Sequence, residues 1–254
     1  SRTSSIRAEF PSVDHGVHFD HASVGPISHR VATTMSTAAD AYARRGFRSS
    51  WRDDIEHVRG QLAELVGSTP GNVAFTQNTS TGLSIVANGV AWEHGDNVVL
   101  PAREFPSNYY PWLNLERRGV QLRRVGAEPG HATVEALAAA IDDRTRVVTV
   151  SAVQFSNGHR YDLTAIGELC RRHDVLLVVD GTQCVGALHV DVVRSHVDVL
   201  VVSAHKWMLG PAGIGFAHLG ERAPFAFGQR NMRRDALSPQ AVASVTNPFE
   251  RLST

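Results

Sequence analysis

Apolar and polar positions follow two rhythms along this chain, one close to a helical turn and one close to a strand. From Asp40 to Val66 apolar side chains recur at helical spacing, and Ser68-Thr-Pro-Gly71 closes that stretch with turn residues. Beyond it the rhythms alternate. Asn72 to Thr76, Asn97 to Leu100, Val120 to Val125, Thr145 to Val153, Val175 to Asp180 and Val197 to Ser203 are predicted strands. Gly82 to Val90, Ser107 to Arg118, Thr133 to Asp142 and Leu163 to His173 are predicted helices. Several strands are apolar almost throughout, as in Val175-Leu-Leu-Val-Val-Asp180, so both of their faces need covering. The pattern predicts an α/β fold, a mainly parallel sheet with helices on both faces. In such sheets functional groups collect outside the carboxyl ends of the strands, and Asp180 and the run Ser203-Ala-His-Lys206 occupy two of these ends.

Length and charge narrow the choice of ligand. The chain has 254 residues, enough for one large α/β domain, and its 25 basic and 25 acidic side chains balance. The arginines are scattered rather than striped, which argues against nucleic acid and leaves small molecules as the expected partners. Cys170 falls in a helical pattern and Cys184 just past a strand end, a poor start for a disulfide framework, so both read as structural and the compartment as reducing. No window is apolar enough to span a bilayer and the first residues lack a signal-peptide core, so a soluble, cytoplasmic protein with no membrane partner is expected.

The basic residues carry the main chemical clue. Twenty-four are arginine and one is lysine, Lys206, at the end of Asp198-Val-Leu-Val-Val-Ser-Ala-His-Lys206. Arginine serves equally well for surface charge but keeps its proton, whereas a desolvated lysine can lose one and attack a carbonyl. Coding bias accounts for the rarity of lysine but not for its place. A pyridoxal phosphate site needs such an amine, an acid opposite the pyridine nitrogen, and donors for a phosphate. Lys206 supplies the first and Asp180 the second; Gln183 can donate to the ring's phenolic oxygen. Thr76-Gln-Asn-Thr79-Ser80-Thr-Gly82, a hydroxyl-rich loop before a helix, together with Ser203 and His205, offers the third. Singly these are weak: a strand-end Asp is often a helix cap, and Thr-Ser-Thr before a helix is more often an N-cap.

Five spaced segments then carry a family resemblance: His18-Phe-Asp20-His-Ala22-Ser23, Phe75-Thr-Gln-Asn-Thr79-Ser80-Thr-Gly82, Glu104-Phe105-Pro-Ser-Asn108-Tyr-Tyr-Pro-Trp112, Val179-Asp180-Gly-Thr-Gln183, and Ser203-Ala-His205-Lys206 followed by Gly210-Pro-Ala-Gly-Ile-Gly215. In this order they resemble the class V aminotransferases, fold-type I pyridoxal phosphate enzymes that include cysteine desulfurases, selenocysteine lyases and isopenicillin N epimerase-like proteins. The resemblance implies Lys206 as the Schiff-base lysine, Asp180 as pyridinium partner, Gln183 as phenolate contact and Phe105 as the ring stacked on the cofactor. It implies Thr79, Ser80, Ser203 and His205 as phosphate ligands, and Ala22 and Ser23 beside an amino acid substrate. It also implies a homodimer.

Departures from the family pattern shape the expected reaction. Desulfurases usually carry histidine where Phe105 stands, and phenylalanine can stack but cannot move protons. Neither cysteine matches the family's late nucleophilic cysteine. Aminotransferase or epimerase-type chemistry is therefore expected ahead of desulfuration or selenium abstraction. The family's contact after the next strand, often asparagine, aligns with Phe155, with Gln154 or Asn157 as substitutes. Residues 1–220 read as the large domain. Residues 221–254, with Arg230, Arg233 and Arg234, are an unassigned tail where the family's small C-terminal domain would begin, so a noncatalytic cofactor binder is a further reading. A metal-dependent hydrolase built on His15, His18, Asp20 and His21 is the reading from another class, but ligands three apart on a strand do not share a face, so no metal is expected. A Rossmann nucleotide domain is set aside, because the glycines of Gly210 to Gly215 stand in the wrong order and follow the lysine.

Overall fold

A computed structural model of the protein describes residues 2–46, 51–126 and 131–223. Helices α1 (Arg2–Arg7), α2 (His29–Arg45) and α3 (Trp51–Leu65) precede strand β1 (Val73–Thr76). Then follow α4 (Thr79–Gly89), β2 (Asn97–Pro101), α5 (Tyr110–Leu113), β3 (Gln121–Val125), α6 (Val134–Ala140) and β4 (Thr145–Ser151). α7 (Leu163–Arg172), β5 (Leu176–Asp180), β6 (Val199–Ser203) and β7 (Gly215–Leu219) complete the described chain. Most of the unassigned tail, with its three arginines, lies outside the described residues.

The described strands form one sheet in the order β3-β2-β4-β5-β6-β7-β1. β3, β2, β4, β5 and β6 are parallel, while β7 runs antiparallel between β6 and β1. The apolar strand runs acquire their meaning here, because successive side chains point to opposite faces. Val99, Val148, Val150, Leu177, Val179, Leu200 and Val202 pack on one face with Leu137 of α6 and Ile166 and Leu169 of α7. Val98, Leu100, Val147, Val178, Val199 and Val201 pack on the other with Leu83 and Val86 of α4, and with Trp112 and Leu115. The central strands β2, β4, β5 and β6 each feed two cores, so continuous apolarity is what the fold requires there.

The antiparallel β7 follows from its connection. The stretch 204–214 between β6 and β7 contains no helix, and a parallel return needs a crossover long enough to cross the sheet face. The chain turns back beside β6 instead, pairing Ser203 with Gly215.

Two predicted helices are corrected. The span from Asp40 to Val66 is not one helix: α2 ends at Arg45, where Gly46 adopts φ 66° and its N–H donates to Tyr42 O at 2.9 Å, a glycine C-cap. The span from Ser107 to Arg118 is a series of single turns, 3-10 at Pro106–Asn108 and Asn114–Arg118 around α5. Pro111 lacks the N–H that would donate to Ser107 O, so one continuous α-helix cannot run through this span.

Candidate active site

The carboxyl ends of β1, β4, β5 and β6 meet around a cavity of about 490 Å³, lined by Asp180 of β5, Ser203 of β6, Ser151 of β4 and the first turn of α4. All the residues assigned from the sequence (Ala22, Ser23, Thr79, Ser80, Phe105, Asp180, Gln183, Ser203, His205 and Lys206) line it. Residues far apart in the chain converge because the sheet places their strand ends side by side.

Lys206 is 8% exposed, with its Nζ 5.0 Å from the centroid of the Phe105 ring. Burial pushes the lysine's proton affinity below its ordinary value, against the pull of the Asp180 and Asp20 carboxylates. Asp180 is 6% exposed, and burial pushes its carboxyl upward while the Thr182 backbone N–H, 2.9 Å from Oδ1, opposes the shift. A buried acid and a buried amine therefore share one chamber, each depressed in its charged form by desolvation and restored by the other.

The remaining assigned groups are held by their neighbours. Thr79 Oγ1 lies 2.5 Å from Thr182 Oγ1 and 2.7 Å from Ser203 Oγ, and Thr79 N donates to Ser203 Oγ at 2.8 Å. These hydroxyls lock the start of α4 to the ends of β5 and β6. Asn78 caps α4 by accepting from Thr81 N at 2.9 Å, and Ser80 Oγ lies 2.7 Å from Ser107 Oγ. Gly82 lets α4 lie directly on β6, since a Cβ there would run into the Val201 side chain. Gln183 is fixed from both ends of its amide, Nε2 donating to Ala22 O at 2.8 Å and Oε1 accepting from Trp207 Nε1 at 2.7 Å. One N–H of that amide remains for a ligand. Gly25 brings the segment of Ala22 and Ser23 against the lysine: its N–H donates to His205 O at 2.8 Å, and a Cβ there would meet the Lys206 carbonyl oxygen.

Sequence reasoning assigned no role to Glu104, and the structure buries it to 8% exposure. Its carboxylate accepts from Ser151 N at 2.8 Å and from Ser151 Oγ at 2.5 Å, which ties the Phe105 segment to the end of β4. Burial pushes the Glu104 carboxyl from its ordinary 4.5 up to about 7, with Ser151 opposing and Asp180 adding to the rise. Between pH 4.5 and 7 the folded chain holds a proton here that the unfolded chain has released, so Glu104 makes stability fall as pH rises, by up to about 3 kcal/mol. His218 of β7, whose buried ring is pushed down to about 4, acts in the opposite sense as pH rises from 4 to 6.5. Relative to the parent chain, urea midpoints of Glu104→Gln are expected to gain with rising pH across that window; parallel profiles would contradict the raised carboxyl.

His15, His18, Asp20 and His21 do not assemble as ligands. His21 stacks on Trp207 at 5.1 Å with His18 edge-on to it, and among the described residues no three His, Cys, Asp or Glu side chains are placed to hold a metal ion.

A lysine and an aspartate facing one chamber at the strand ends of a mostly parallel sheet, beside a hydroxyl-lined helix start, define the large-domain architecture of fold-type I pyridoxal phosphate enzymes. The chain belongs to the aminotransferase class-V family, whose family model matches residues 19–235. A probable cysteine desulfurase of Methanothermobacter thermautotrophicus is 31% identical over 239 residues, 89% of this chain and 60% of that protein. Among solved structures, the apo cysteine desulfurase of Thermococcus onnurineus NA1 is similar with a TM-score of 0.77 at 26% identity, covering 86% of this chain and 57% of its own. A C-DES variant with glycine covalently linked to its PLP cofactor gives a TM-score of 0.80 at 26% identity, covering 87% and 61%. The chain thus spans about 60% of the length of these relatives.

Proposed function

We propose that this chain binds pyridoxal 5'-phosphate at Lys206 and acts at the α-carbon of an amino acid, with aminotransferase or epimerase-type chemistry. The observation that carries the reading is the placement of the chain's single lysine and the buried Asp180 on one cavity. The donor set fits the group. A buried carboxylate calls for a cationic N–H, the start of α4 with Ser80, Ser203 and His205 suits a phosphate, and the free N–H of Gln183 suits a phenolic oxygen. Phe105, beside the lysine amine, offers a flat apolar face to a ring.

When bound, the cofactor supplies an aldehyde carbon and an electron-withdrawing ring. The chain's own residues do the rest. Lys206, its proton affinity lowered by burial, gives up its proton more readily than an ordinary lysine and would carry the proton to or from the substrate's α-carbon. Asp180 keeps a proton on the ring nitrogen, because a carboxylate in a dry chamber is stabilised only by an opposing positive charge. The hydroxyl network of Thr79, Thr182 and Ser203 keeps both strand ends in register while this happens.

Removal of sulfur from cysteine is the second reading, favoured by the names of the relatives. It fits the same site residues. Cys170 and Cys184 are both buried, with burial pushing the Cys170 thiol up to about 12 and raising that of Cys184, so neither of these two is placed to receive the sulfur. We read the assembly as a homodimer because the family resemblance implies one. Among the described residues no helix is long and apolar enough to cross a membrane. The direct test is to load the protein, reduce it with borohydride and map the peptides by mass. The cofactor is expected on the peptide containing Lys206, and its absence there refutes the site.

A further inference from the structure

The cavity lining is mostly polar, from the start of α4, the ends of β4, β5 and β6, and Asp20, Ser23 and Ser107. Phe105, Val153 and Phe155 are the large apolar side chains in it. Phe155 meets Phe105 edge to face, with ring centroids 5.1 Å apart and planes at 74°. A tight turn fixes it in place. Gln154 N donates to His159 O at 2.8 Å, Gly158 N donates to Gln154 O at 2.9 Å, and Gly158 adopts φ 71°. Gln154 is buried, while Val153 and Phe155 on either side of it both line the cavity. Phe155 remains 43% exposed despite this pairing, an aromatic face that the protein itself does not cover.

We infer that Phe155, seated against Phe105 and flanked by Val153, is a specificity-determining residue that selects an amino acid with an apolar side chain. The inference rests on the reading that this cavity takes an amino acid beside the cofactor. A leucine-like side chain laid on Phe155 and Val153 removes apolar surface of both partners from water. An asparagine of nearly the same shape loses the hydration of its amide there, and the three apolar residues provide no replacement hydrogen bond. Selectivity of this kind comes from contact area and desolvation, so it resides in binding.

The test uses the cofactor-loaded protein and reads equilibrium binding from the change in its visible absorbance on titration with L-leucine, L-asparagine and L-cysteine. Leucine is expected to bind roughly tenfold or more tightly than asparagine, the range set by a few methylenes in an apolar pocket. Phe155→Asn is expected to bring the two within about threefold of each other, and Phe155→Leu to keep the preference. A wild-type ratio near one, cysteine preferred over leucine, or a ratio unchanged in Phe155→Asn overturns the inference while leaving the cofactor site standing. A protein that takes up no cofactor overturns the reading of the site, and the inference falls with it. Because Phe155 sits on an exposed turn outside both cores, these variants are expected to fold, and an unchanged urea midpoint checks this.

Discussion

Lys206→Ala is expected to lose the visible absorbance of the lysine-bound cofactor and to lower turnover by at least about 10³-fold, while cofactor still binds reversibly through the hydroxyl cradle. On the proposed reading two roles disappear together in this variant, the amine that bonds the aldehyde and the base that serves the α-carbon, and proton transfer by a positioned group alone is worth about 10²–10⁴-fold. Lys206→Arg separates chemistry from charge. It keeps a cation opposite Asp180 but holds its proton permanently, so it should be as inactive as the alanine variant while retaining more of the chain's stability. Absorbance or turnover near the parent level in either variant would remove Lys206 from the mechanism.

Asp180→Asn is expected to keep the lysine-bound absorbance and to slow chemistry at the α-carbon by about 10²–10³-fold, the scale on which a preorganised electrostatic partner acts. The stability of the cofactor-free protein should move the other way. Burial raises the Asp180 carboxyl, so with rising pH the unfolded chain releases this proton before the folded one and stability falls as ionisation is forced. Asparagine has the same shape and no charge to bury, so the stability of cofactor-free Asp180→Asn should fall less with rising pH than that of the parent. Thermal melts with and without cofactor check both halves. A variant destabilised without cofactor and unimpaired with it would contradict the assignment. A residue that costs stability yet faces the cavity is the expected signature of a group kept for chemistry.

How far the site was legible depended on the kind of residue. Lys206 stood out because its type is unique in the chain, and Asp180 because it ends an apolar strand. Glu104 was only one letter of a motif. Glutamate is ordinarily a surface residue, and nothing local distinguishes one that Ser151, 47 positions away, will draw into the interior. Phe155 and Phe105 each read as a departure from a family pattern, and their contact as a pair exists only once β4 lies beside β2. The helix drawn from Asp40 to Val66 went astray for a local reason, the left-handed Gly46, which a periodicity count passes over.

Apolar spacing by itself determined the alternation of strands and helices and the need to cover both sheet faces, since burying a strand's odd and even side chains is settled within a few residues. It also determined which side chains end the strands. Tertiary structure alone decided that β7 turns back antiparallel, that Thr79 meets Ser203 across 124 positions, and that Gly25 brings Ala22 and Ser23 to the lysine. These contacts depend on strand order and on close approach of backbones. Both are global solutions to packing two cores at once, so no segment contains them.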